Sequence, residues 1–334
     1  MTIEHNVDSS QLTTFRTRGA VAEQLYHLET VDDVVEFARY VAPQRRQWLV
    51  LGGGSNMLLV HSVECAARVE ITDRRIIEET ASRVILRLGA GLHWHSCVEW
   101  AVANGWAGIE AMALIPGTVG AAPIQNIGAY GQQLSDVCRW VEGVDVYSGR
   151  TVTLAAQDCH FGYRDSVFKR ERKGNFIITA IGVELEKRTD ARVAYDELAR
   201  RLTTRDTVTI SDIFETVVTL RRGKLPPDDI GSAGSFFKNP VVELHRAAQL
   251  AERYPDMPRY QQNGAVKLSA GWLIEQCGYK GIRRGDAGVY DRHALVLVNY
   301  GTARGEDILR LAAEIKAAVH ERFGVELEEE VIIV

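Results

Sequence analysis

The stretch GSAGSFFKNP, residues 231–240, sets one hydroxyl, Ser235, behind Gly231, Ala233 and Gly234 and ahead of Phe236 and Phe237. Small residues let the backbone approach a ligand closely, and the two aromatics read as anchors. No neighbouring histidine is at hand to activate the hydroxyl. Two glycine-rich segments precede it. LGGGSN (51–56) follows a strand-like run but is neither G-x-G-x-x-G nor trailed by a P-loop lysine, so the Rossmann and Walker readings fail. What remains is a nest of backbone N–H groups with a serine and an asparagine, suited to a diphosphate, or else a tight turn. IPGTVGAAPIQNIGAYG (115–131) is more specific. Gly117, Gly120, Gly128 and Gly131 permit close approach, and Gln125 and Asn126 offer amide edges to a polar heterocycle. Such a stretch is a poor helix and a poor strand, yet too apolar for water, so a ligand is expected to satisfy its amides; the alternative is a buried structural loop.

Three further features carry charge. In FGYRDSVFK (161–169), Arg164 is flanked by Phe161 and Tyr163. A buried guanidinium requires an anion, either a structural aspartate or a substrate carboxylate. In VELEEEV (325–331), strand alternation puts Val325, Leu327, Glu329 and Val331 on one face and Glu326, Glu328 and Glu330 on the other. Three like charges on one face either form a solvated edge or raise the pKa of one of them in a cleft. HWH (93–95) opens a helix and reads as non-catalytic, and the nine histidines form no metal pattern.

The elements that position these residues alternate between strands and helices. QWLVLGGGSN (47–56) is a buried strand entering a loop, RVILRLGAG (83–91) a second strand, and LHWHSCVEWAVANG (92–105) a helix stopped at Asn104-Gly105. VEGVDVYSGRTVTL (141–154) and FIITAIGVEL (176–185) read as strands. ISDIFETVVTLRRGKLPP (210–227) reads as a helix stopped by Gly223 and Pro226, where a domain boundary is expected. Beyond it, helices are expected at 243–254 and 268–277, a strand at 293–299, and a helix from near Thr302 to Phe323 with Ile308, Leu311, Ala312, Ile315 and Val319 on one stripe and Gly324 as terminator. The last strand, 325–334, is expected to pair back into the first domain and close two lobes over a cleft.

With 334 residues, 46% hydrophobic and 25% charged, the chain is long enough for two or three packed units. A net charge of −5, with no Lys/Arg block, argues against nucleic acid as a partner. The polar N-terminus and the short apolar runs argue against a signal peptide or membrane span. Five cysteines, Cys65, Cys97, Cys138, Cys159 and Cys277, with no CxxC pair, point away from disulfides and zinc and toward a reducing cytoplasm.

Taken together and in order, LGGGSNMLL, IPGTVGAAPIQNIGAYG, FGYRDSVFK, GSAGSFFKNPVV, KLSAGWLIEQCG and LEEEV resemble the UDP-N-acetylenolpyruvoylglucosamine reductase family, in its longer type I subclass, over nearly the whole chain. The resemblance implies an α+β fold: a two-lobed FAD-binding domain of the vanillyl-alcohol-oxidase (PCMH) type over 1–220, with lobes of about 1–72 and 73–220 completed by strand 325–334, and a smaller α+β substrate-binding domain over 221–324. It implies NADPH-dependent reduction of UDP-N-acetylglucosamine enolpyruvate to UDP-N-acetylmuramate through non-covalent FAD, in peptidoglycan precursor synthesis, by a cytoplasmic monomer.

Carried over position by position, the general acid falls on Ser235, the arginine on Arg164 and the glutamate on Glu330, with Glu328 a rival because Glu329 replaces the proline of the family's LEPEV pattern. The implied cofactor contacts are Gly52, Gly53, Gly54, Ser55, Asn56, Met57, Ile115, Pro116, Gly117, Gly120, Ala121, Gln125, Asn126, Gly128 and Ile178. The implied substrate contacts are Tyr130, Tyr195, Lys224, Asn239 and His293, the last where some members carry glutamine. Ala121 stands where a serine is common beside the flavin, a contact that a backbone amide is expected to replace. Hydride addition at the β-carbon of the enolpyruvyl group leaves an enediolate-like species whose α-carbon takes a proton from serine, while arginine and a neutral glutamate hold the carboxylate. Substrate and NADPH taking turns at one flavin face implies ping-pong kinetics. Two other readings remain: another flavin oxidoreductase on the same scaffold, or a nucleotide-sugar binding module without flavin.

Overall fold

The computed structural model describes residues 1–45, 48–190, 196–203, 207–262 and 264–334. The chain divides into two compact units. The first comprises Met1–Val7, Ala22–Gly53 and Val63–Arg222; the second comprises Asp8–Val21, Gly54–Ser62 and Gly223–Val334. The division falls between Arg222 and Gly223, but Gly223 does not stop the helix as its residue type suggests: the helix Ile210–Lys224 runs through it. The N-terminal segments 8–21 and 54–62, however, belong with the C-terminal unit. The last strand, Ile332–Ile333, does pair with an N-terminal strand, Met57–Leu58, in parallel. Both strands lie in the second unit, so the pairing completes that unit instead of the first domain.

Among the described residues, two larger sheets build the first unit. In one, Val63–Val69 lies between Val21–Leu28 and Trp48–Leu51 and is parallel to both. The other orders Arg150–Ala155, Cys138–Asp145, Phe176–Lys187, Arg83–Gly89 and Arg74–Glu79, all antiparallel. Phe176–Lys187 is central, and its first eight residues are all buried, which is why FIITAIGV reads as a continuous apolar run with no alternation. Gly182 leaves room for the Trp140 ring: a Cβ there would collide with it. The helix Trp94–Ala103 buries Trp94, Cys97, Val98 and Ala101 on one face, with Val102 half-buried. Burial pushes the thiols of Cys97, Cys138 and Cys159 up to about 12 and that of Cys65 to about 11, so these are packing residues, not nucleophiles.

The second unit packs the helices Leu244–Arg253, Ala270–Gln276 and Gly305–Phe323 with a four-stranded sheet ordered Gly231–Ser235, Val296–Asn299, Ala287–Val289, Arg283–Arg284. The long helix starts at Gly305, later than the stripe suggests. Thr302 donates its amide and hydroxyl to Asp286, and Asn299 Oδ1 accepts from the Gly301 and Ala303 amides, so these residues are held outside the helix. Its buried stripe and the left-handed Gly324 (φ +59) are as expected. GSAGS forms a strand. One local expectation fails. The stretch 325–331 is extended but bonds to its neighbours only at a few points before the short strand at 332–333. Among the described residues, no helix is long and apolar enough to cross a membrane.

Candidate active site

In the first unit the two glycine segments meet. A Cβ on Gly53 would stand 3.1 Å from the Gly117 Cα, and one on Gly52 would collide with the Thr118 hydroxyl, so only glycine allows the backbones this close. The second segment is fastened along residues 90–94: Trp94 N–H donates to Gly117 O (3.0 Å), Val119 N–H to Leu92 O (2.9 Å) and Gly120 N–H to Ala90 O (2.8 Å). The Ala121 and Ala122 amides bond within the turn, to the carbonyls of Thr118 and Val119. These four amides, those of residues 119–122, are satisfied by protein, so for them the expectation of a ligand partner does not hold. One buried polar atom stays unmatched: Thr118 Oγ1, in a residue 7% exposed, has no hydrogen-bond partner. A buried hydroxyl without a partner, set where two glycine backbones touch, fits a polar cofactor.

Segment 161–169 is stitched to the same loop. Arg164 Nη2 donates to Gly128 O (2.8 Å), Asn126 Nδ2 to Gly162 O (3.1 Å) and Ser166 Oγ to Ile124 O (2.7 Å). Lys169 Nζ donates to Arg164 O (3.0 Å). Leu114, Asn126, Tyr130 and Arg164 all have positive φ, four of the seven such non-glycine residues among those described. Strain of this kind concentrates where a loop is shaped for binding. Asn126 does not present its amide edge to a ligand. It is 2% exposed, donates also toward Gln133 and Ser135, and accepts from the Ser135 amide (2.9 Å). Ile178 is packed in the core of this unit, so it can offer a ligand little beyond its backbone. Gln125, Ile115, Gly128 and Tyr130 are half-buried on the loop and Pro116 is exposed.

In the second unit Ser235 closes its strand opposite Val296, after an irregularity in register between Ser232 and Ser235 that contains Gly234 (φ +70). A glycine in this conformation reorients the strand and with it the serine. Phe236 and Phe237, 0% and 1% exposed, anchor it in the core. Phe236 N–H donates to Leu295 O (2.8 Å), and Phe236 O accepts from Glu330 N–H (2.8 Å). That bond seats the Glu330 backbone against Phe236, the residue that follows Ser235. The four glutamates of the tail part company. Glu328 is exposed and paired with Lys238 (2.8 Å), and Glu326 is exposed beside His320 (3.2 Å). Glu329, expected on the apolar face, turns out to a salt bridge with Lys316 (2.8 Å). The shared acidic face therefore does not form, and of Glu326, Glu328 and Glu330 it is Glu330 that is half-buried. Asn56 Nδ2 donates to Glu330 O (3.2 Å), and Asn56 O accepts from Ile332 N–H (3.0 Å), which ties Gly54, Ser55, Asn56 and Met57 to the tail.

Asn239 Oδ1 accepts from the Ala270 amide (3.0 Å), so any substrate contact must come from its NH2 group. His293 sits in the tight turn between Tyr290 and Val296, at the end of the strand that pairs with Ser235. Lys224 ends the helix Ile210–Lys224. Tyr195 lies outside the described residues. Two residues escaped the reading of the sequence. Thr118, a lone hydroxyl between Gly117 and Gly120, carries no signal of its own in the sequence. Arg221, one helical turn before Lys224, has a buried Nε without a partner and a pKa pushed down by desolvation and by the nearby charge of Arg164, partly offset by Tyr130. It puts a second guanidinium close to the first. Thr118→Val keeps the shape and removes the hydroxyl; FAD affinity, read from recovery of free-flavin fluorescence, is expected to fall about tenfold. Parental affinity in that variant would remove the hydroxyl from the cofactor site.

Residues 22–155 match the FAD binding domain family, and residues 226–334 match the C-terminal domain of UDP-N-acetylenolpyruvoylglucosamine reductase. With the glycine cradle, these matches define a flavoenzyme. The UDP-N-acetylenolpyruvoylglucosamine reductase of Chromobacterium violaceum is 44% identical, with 100% of both chains covered, and that of Shewanella oneidensis is 45% identical over 96% of this chain and 94% of its own. The crystal structure of the Thermus caldophilus reductase covers 100% of this chain at a TM-score of 0.70 and 25% identity, with 99% of that chain covered. The chain belongs to the UDP-N-acetylenolpyruvoylglucosamine reductase family and is an FAD-dependent reductase of peptidoglycan precursor synthesis.

Proposed function

We propose that this chain, a type I member of the family, uses NADPH to convert UDP-N-acetylglucosamine enolpyruvate to UDP-N-acetylmuramate, with Ser235 as proton donor and Arg164 and Glu330 at the substrate carboxylate. When bound, FAD reduced by NADPH would supply hydride to the β-carbon of the enolpyruvyl group. Gly52, Gly53, Gly117 and Thr118 would hold it. As negative charge grows on the carboxylate, the fork of Arg164 gains interaction energy, and Glu330, in its protonated form, would donate a hydrogen bond. Ser235 Oγ then gives its proton to the α-carbon, which is basic enough to need no histidine relay. Lys224 and the NH2 group of Asn239 bind the diphosphate of the nucleotide, with Tyr195 closing over it. The proposed organisation keeps FAD binding in the N-terminal domain and substrate binding in the C-terminal one, in a cytoplasmic monomer.

The observation that supports this best is the 2.8 Å bond from Glu330 N–H to Phe236 O, because it gathers the proton donor and the glutamate from distant parts of the sequence. The test is the visible spectrum of the purified protein. A yellow protein that NADPH bleaches, and that enolpyruvyl sugar nucleotide recolours without oxygen, carries the activity. Recolouring by oxygen alone points to a different flavin oxidoreductase, and a colourless protein to a binding module.

A further inference from the structure

We propose that His95 is a positioning residue for the cofactor loop: its Nδ1 accepts the Leu114 amide hydrogen (3.2 Å) and holds that residue in the strained conformation from which Ile115, Pro116 and Gly117 depart. The inference rests on the reading that 115–117 touch the flavin. Leu114 has φ +55, costly for a branched side chain, and persists only where its surroundings over-determine it. The His95 ring is itself fixed, stacked at 5.8 Å and 11° on Phe214 of the helix Ile210–Lys224. Acceptance at Nδ1 puts the ring proton on Nε2, which faces Glu99 Oε1 at 3.4 Å.

Protonation of the ring turns the acceptor into a donor aimed at another donor, and the Leu114 amide loses its partner. The charged groups facing His95 among the described residues are Glu99 on its own helix and Arg221 and Arg222 on the facing one. Burial lowers its pKa from the ordinary 6.5; Arg222 and Arg221 lower it further, and Glu99 opposes them. The neutral, accepting form is thus the one present at neutral pH. A depressed imidazole pKa means that the unfolded or released state binds the proton more readily. The lock is therefore complete above 6.5 and weakens as pH falls below it, until the folded-state value is passed.

The test is FAD affinity of the holoenzyme between about pH 5 and 8, read by flavin fluorescence, in the parent, His95→Asn and His95→Leu. Asparagine offers an oxygen near the Nδ1 position and does not titrate; leucine offers no acceptor. In the parent, affinity is expected to fall about tenfold on acidification. His95→Asn should bind as the parent does at the upper end and stay level. His95→Leu should bind about tenfold more weakly throughout. A parental fall in His95→Asn, or parental affinity in His95→Leu at the upper end, overturns the proposal. Amide exchange of segment 113–118, followed in parallel, separates two kinds of failure. Exchange that accelerates on acidification in the parent alone, with FAD affinity unmoved, leaves the His95 lock but takes the flavin off this loop, which overturns both readings. Exchange that stays level refutes the lock and leaves the flavin assignment standing.

Discussion

In Ser235→Ala, NADPH bleaches the flavin at the parental rate, while turnover of the enolpyruvyl substrate falls by about 10²- to 10⁴-fold, the usual range for loss of a positioned proton donor. The split between half-reactions follows from the chemistry: reduction of the flavin needs no proton from serine, whereas quenching of the α-carbon does. The fold should tolerate the change. Ser235 is held by backbone pairing with Val296, and the anchors beside it, Phe236 and Phe237, are fully buried and pack edge to face at 5.1 Å. Ser235→Cys should retain more activity than the alanine variant because a thiol also donates a proton. Stopped-flow measurement of each half-reaction decides the matter. Loss of flavin reduction in Ser235→Ala, or equal loss in both variants, would remove Ser235 from the proton transfer.

Arg164→Lys is expected to lose about 10²- to 10³-fold in the rate of substrate reduction, the scale for removing an electrostatic donor aimed at developing charge. Lysine keeps the charge but has no planar fork. In the structure one arm of that fork, Nη2, is held by Gly128 O at 2.8 Å, which orients the guanidinium beside the cofactor loop and beside Arg221. A lysine ammonium bound to the same carbonyl would have no second rigid arm for a carboxylate. Flavin reduction by NADPH should change little. Single-turnover rates at saturating substrate separate this effect from weaker binding, and a lysine variant with the parental rate would show that the fork is not used.

Much of the local architecture follows from residue order alone. A 3.6-residue stripe with Gly324 at its end makes a helix whatever surrounds it, and the glycine-rich loops are the only conformations open to stretches that are neither good helix nor good strand. The aromatics after Ser235 are anchors because their apolar area has to be buried. The same local logic placed the start of the long helix too early, since Asn299 and Asp286, distant in the case of Asp286, hold the preceding residues outside it.

What only tertiary structure decided was partnership. Glu328 and Glu330 are equivalent by alternation; they differ because Lys238 reaches one and the Phe236 carbonyl seats the other. Asn126 and the amides at 119–122 carry the right groups for a ligand but are used by the protein itself, while Thr118 and Arg221, unremarkable in sequence, end with buried atoms that no protein group satisfies. Periodicity and turn chemistry act over a few residues and so can be read along the chain. A hydrogen bond between segments brought together by folding has no local signature, and there the sites of binding and catalysis are built.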